Sequence, residues 1–136
     1  MIAEEQDIIM LQNILFKDHN ELDLHLNGHP VLIIHKTEDY FYYLTISSNT
    51  NKNPRKQGYH YPLKKTKKNR LTTPISYVNL RNIYKAEIKG YLPVGHINND
   101  EYLKIIKQFN DFQRKYKKDE FFNEIIKNDK GMKLWN

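Results

Sequence analysis

His29 stands between Gly28 and Pro30 at the head of an apolar run. A histidine titrates near neutrality, so this one can take a proton from a ribose 2′-hydroxyl; an ordinary surface histidine fits the same position. Ser47 and Ser48 end a second apolar run and lead into Asn49, Thr50 and Lys52. Hydroxyls and amides at a strand end hold a phosphate well, and Lys52, Arg55 or Lys56 would neutralise its charge. Ser-Ser-Asn also makes a plain polar turn. Tyr59, His60 and Tyr61 lie between two basic clusters. Aromatic rings stack on unpaired bases while neighbouring cations hold the phosphates. An edge strand packing its tyrosines on a core gives the same pattern.

Other chemistries find less support. Histidines fall at 19, 25, 29, 35, 60 and 96, with no helical i, i+4 pair and no H-E-x-x-H, so neither a metal site nor a cofactor is expected. There is no G-x-S-x-G, no Walker A and no G-x-G-x-x-G. With no cysteine, there is neither a disulfide framework nor a thiolate site, which fits a reducing, cytoplasmic setting. The acidic start is unlike a secretory signal. No apolar run approaches the roughly 20 residues of a membrane helix, so no membrane partner is expected.

Charge is distributed unevenly. Residues 1–50 carry a net −6, residues 51–90 a net +10 and residues 91–136 a net +2. No acid lies between Asp39 and Glu87. The segment from Lys52 to Arg70 holds Lys52, Arg55, Lys56, Lys64, Lys65, Lys67, Lys68 and Arg70. A single-sign block repels itself unless a polyanion or solvent screens it, and RNA binding through counterion release is the expected use. A solvated basic loop without a dedicated ligand is the plainer alternative.

The elements that would position these groups can be read from periodicity. Ile8, Leu11, Ile14 and Leu15, with acids in the first turn, predict an amphipathic helix over residues 3–17. Leu22, Leu24 and Leu26 alternate with polar residues as in a strand. Residues 30–35 and 40–46 are β-branched and aromatic runs around a polar turn, which predicts a hairpin at the centre of a curled sheet. Residues 59–63 suit a short edge strand, and 75–88 one or two strands. Asn98, Asn99 and Asp100 can cap a helix carrying Leu103, Ile106, Phe109 and Phe112 to about Lys118, with a shorter helix to about 128. The expectation is one α+β domain over 1–136, with a barrel core at about 20–95 and helices at about 99–128.

The stretch Gly28-His29-Pro30-Val31-Leu32-Ile33-Ile34, then Tyr43-Leu44-Thr45-Ile46-Ser47-Ser48-Asn49, resembles the core of PemK/MazF-like ribonuclease toxins. Ser76-Tyr77-Val78-Asn79-Leu80-Arg81-Asn82-Ile83-Tyr84-Lys85 looks like the sheet return of the related type III (ToxN/AbiQ-like) toxins. Gly95-His96-Ile97 matches the step before their C-terminal helix. The resemblance spans about residues 20–115. His29 stands where many members have Arg, and Ser47 where many have Thr. It implies a small, SH3-like curled antiparallel β-barrel that cleaves single-stranded RNA without a metal. The 2′-hydroxyl would attack the adjacent phosphate, leaving a 2′,3′-cyclic phosphate. Ser47 and Ser48 would contact that phosphate, His29 or His60 would move the proton, and Lys52, Arg55 and Lys56 would stabilise the charge. Tyr59, Lys64, Lys65, Lys67, Lys68 and Arg70 would hold the flanking RNA. A cognate antitoxin, RNA or protein, and a homo-oligomer are also implied.

Overall fold

The central hairpin forms because its residues can be buried on both sides. In the computed structural model, which describes residues 2–11, 14–16, 21–23, 29–48, 60–81, 83–87 and 90–115, strands β4 (His29–Lys36) and β5 (Tyr40–Ser47) pair antiparallel. The turn between them is closed by Thr37, whose hydroxyl oxygen accepts from the Tyr40 amide at 3.0 Å. Leu32, Ile34, Tyr42, Leu44 and Ile46 feed one core cluster. Val31, Ile33, Phe41 and Tyr43 feed a second on the opposite face. Alternation therefore carries no polar signature: both faces are dry.

Around this hairpin the sheet runs β6 (His60–Lys64), β7 (Ile75–Asn79), β5, β4, β1 (Asp7–Leu11), β9 (Gly95–His96). Strand β8 (Tyr84–Glu87) pairs with the first half of β5, and β7 with its end. Among the described residues the fold is a strongly curled antiparallel half-barrel followed by one helix, a small α+β fold. A separate two-stranded ribbon joins β2 (Ile14–Phe16) to β3 (Glu21–Asp23). Helix α1 (Asn99–Lys115) starts at Asn98, whose side-chain oxygen accepts from the Glu101 amide at 2.9 Å. It buries Ile105, Ile106 and Phe109 in the first cluster. Buried Gln113 ties its far end to the Leu80 carbonyl at 2.9 Å. The expected shorter helix to about residue 128 lies outside the described residues.

The helix expected over residues 3–17 is not formed. Asp7–Leu11 is instead a strand between β4 and β9. Ile8 enters one core cluster, while Ile9 and Leu11 enter the other. A strand buried on both faces has apolar residues at helical as well as alternating spacings. The acids that suited a helix start have other partners: Glu4 pairs with Lys36 at 2.9 Å, Glu5 with His35 at 3.4 Å, and Asp7 with His96 at 2.7 Å.

Candidate active site and basic turn

The end of the half-barrel is closed by a turn that one buried side chain organises. Asn69 is 3% exposed. Its side-chain oxygen accepts from the amides of Thr66 at 3.0 Å and Leu71 at 3.1 Å. Its side-chain nitrogen donates to the Lys64 carbonyl at 2.8 Å. The Thr66 hydroxyl accepts in return from the Asn69 amide at 3.0 Å. Thr and Asn three residues apart favour such side-chain-to-backbone turns. Strand β9 locks the turn from outside: the His96 amide donates to the Lys68 carbonyl at 2.9 Å. A β-carbon on Gly95 would collide with the Asn69 backbone, so the position requires glycine. Lys64, Lys65, Lys67, Lys68 and Arg70 all stand exposed on this turn.

Inside the turn lies a pocket of about 290 Å³. His29 and Pro30 reach it from the start of β4, Ile46 and Ser48 from the end of β5, and Ile8 and Met10 from β1. Asn69 to Thr73 and Ser76 complete its wall, with Val94 at the edge. The lining residues thus combine apolar side chains with Ser and Thr, one histidine and one arginine. Buried Ser76 is fixed by Thr73, whose hydroxyl lies 2.9 Å from its own.

The residues expected to act together therefore divide. His29, Ser48 and Arg70 line the pocket. Ser47 does not: it is the register partner of Tyr77 on β7. His60 does not either: it lies opposite Asn79, and its ring meets Tyr77 edge-on at 6.4 Å. Strand alternation accounts for the split. Tyr61 and Leu63 of β6 and Ser76 and Val78 of β7 are buried, leaving His60, Pro62, Lys64, Tyr77 and Asn79 on the outer face. Lys64, Lys65 and Lys67 line a shallow outer groove with Pro74 and Ile75. Lys52, Arg55, Lys56 and Tyr59 lie outside the described residues.

Tyr61 belongs to the core, not to a stacking platform. It is 7% exposed, and its hydroxyl donates to Glu101 at 2.7 Å. Burial, then the bond to Glu101, pushes its pKa up, so the phenol stays a donor. Among the described residues, no cluster of three or more His, Asp or Glu could hold a metal ion, and no helix is long and apolar enough to cross a membrane.

The sequence did not single out Thr72, Thr73 and Ser76 as pocket wall, nor Arg70 in the same pocket lining as His29. The Thr66/Asn69 spacing was the available signal for the turn. No protein-family model matches the chain, and no curated protein matches it either.

Proposed function

We propose that the protein is an endoribonuclease of the PemK/MazF-like toxin type, with a ToxN/AbiQ-like variant of that fold, acting on single-stranded RNA without a metal. The observation that carries this reading is that one pocket holds His29, Ser48 and Arg70 beside a turn bearing four exposed lysines. The substrate 2′-hydroxyl gives its proton to His29 and its oxygen bonds to phosphorus. The bond from phosphorus to the 5′-oxygen breaks, and that oxygen takes a proton from solvent. The products are a 2′,3′-cyclic phosphate and a 5′-hydroxyl. The Ser48 hydroxyl donates to a non-bridging oxygen. Lys64, Lys65, Lys67 and Lys68 bind the flanking backbone. The curled antiparallel half-barrel agrees with this family at the level of architecture. A cognate antitoxin, RNA or protein, would restrain such an activity; tandem repeats beside the gene favour RNA, a small acidic reading frame protein.

Purified protein incubated with end-labelled single-stranded RNA in EDTA tests the reading. Fragments ending in cyclic phosphate, abolished by His29→Ala with the fold retained, are expected. Intact RNA, retained on the protein in a salt-sensitive way, would instead identify a non-catalytic RNA-binding module, the second reading that the lysine turn favours.

A further inference from the structure

We propose that Arg70 is the phosphate clamp of this pocket and acts in turnover, whereas the lysines of the same turn act only in binding. The proposal rests on the reading of the pocket as a ribonuclease site and assigns a role within it. Four observations carry it. First, Arg70 lines the pocket with His29 and Ser48, whereas Lys64, Lys65 and Lys67 line the separate outer groove.

Second, Arg70 has φ +56°, the left-handed region, and only Gln6 shares a positive φ among the described non-glycine residues. Glycine is the cheap residue for that backbone, so an arginine there carries a conformational cost that its side chain must justify. Third, the backbone is pinned on both sides. The Arg70 amide donates to the Thr66 carbonyl at 3.2 Å. Asn69 before it is buried, and Leu71 after it donates to the Asn69 side chain at 3.1 Å. The guanidinium is therefore hung from a fixed point, not from a loose loop.

Fourth, among the described residues no carboxylate lines the pocket and Arg70 makes no ion pair. A guanidinium is always charged and presents a planar fork that matches two phosphate oxygens. In a pocket shared with His29 and Ser48, such a fork suits the charge that grows on phosphorus as the 2′-oxygen attacks. An ammonium at the same place would be a point charge without the fork.

Three variants test the assignment: Arg70→Gly, Arg70→Lys and the pair Lys64→Gln with Lys67→Gln. Arg70→Gly suits the left-handed backbone, so it should melt no lower than the wild type. It should still bind a 2′-deoxy-substituted oligonucleotide within a few-fold. Its single-turnover cleavage rate at saturating RNA should fall at least about 100-fold. Arg70→Lys should regain only a small part of that loss. The lysine pair should weaken binding more than Arg70→Gly does and lower the saturated rate far less. Wild-type cleavage by Arg70→Gly overturns the proposal, as does full rescue by lysine. If the wild-type protein does not cleave at all, the ribonuclease reading fails separately. The clamp is then judged by displacement of the bound oligonucleotide with inorganic phosphate: equal phosphate affinity in wild type and Arg70→Gly overturns it.

Discussion

The Tyr61 hydroxyl donates to the Glu101 carboxylate at 2.7 Å, joining the edge strand β6 to the first turn of α1. The two residues are forty positions apart, and their bond fastens the helix over the open side of the half-barrel. Tyr61→Phe keeps the buried ring and removes only the donor. The loss should cost about 1.5 kcal/mol, the lower end for a hydrogen bond to a charged group, because Glu101 is partly solvated. Denaturant unfolding measures it. RNA affinity should not change, since Tyr61 faces the core; a variant that loses RNA binding without losing stability would return Tyr61 to the binding surface.

Alkaline pH should unfold the protein through its buried tyrosines. Tyr43 is pushed up to about 12 by burial, with Tyr84 and Tyr91 beside it adding to the shift. Tyr61 is raised by burial and by its bond to Glu101, and Tyr102 by burial and by the charge of Glu5. Folding thus favours the neutral phenol at all three. Their contribution to stability is fully present below pH about 10, the unfolded tyrosine value, and is lost as pH climbs through the raised values. Tyr43, Tyr61 and Tyr102 should therefore ionise only above pH about 10, together with loss of the sheet signal. Absorbance and circular dichroism recorded on one titration check this. A single ionisation step near pH 10 with the sheet retained contradicts it.

Asn69 should be the most sensitive polar side chain in the described fold. Asn69→Ala leaves the Thr66 and Leu71 amides and the Lys64 carbonyl without their partner. Unsatisfied buried groups cost about 1–3 kcal/mol each and do not add fully, so a loss on the order of 3 kcal/mol is expected by denaturant unfolding. Gly95→Ala, pressing on the same turn from β9, should destabilise by a further mechanism, steric overlap with the Asn69 backbone. Because Asn69 positions Arg70, the folded fraction of Asn69→Ala should show a lower saturated cleavage rate at nearly unchanged RNA affinity. Loss of stability alone, with the rate per folded molecule intact, would confine Asn69 to a structural role.

How much of this was legible in the sequence follows from where the physics is local. The β4–β5 hairpin was, because β-branched and aromatic runs around Thr37 leave few other options. The cap at Asn98 was, because capping acts within four residues. The strand at Asp7–Leu11 was not. Its burial on both faces erased the alternation, and Glu4, Glu5 and Asp7 found cationic or imidazole partners distant in sequence instead of a helix dipole. Within the candidate site, strand ends marked His29 and Ser48. The separation of Ser47 from Ser48 follows from strand alternation, yet it could be used only once the β5–β7 register was known. Arg70 read as one more cation of a charge run, since nothing local says that it will line the same pocket as His29.

Salt should separate the turn's lysines from the other cations of the chain. If Lys64, Lys65, Lys67 and Lys68 each neutralise a phosphate of single-stranded RNA, changing them all to Gln should flatten the dependence of log affinity on log salt. The slope should fall by roughly 0.7 per contact, up to about 3 in all. Lys104→Gln with Lys107→Gln removes exposed positive charge from α1 instead. It should lower affinity slightly and leave the slope close to that of the wild type, because a distant charge steers RNA but displaces no counterion from it. Titrations of a labelled oligonucleotide over a range of salt measure both. Equal slopes for the turn and helix variants would mean that affinity comes from net charge alone, and the turn would lose its place as the RNA track.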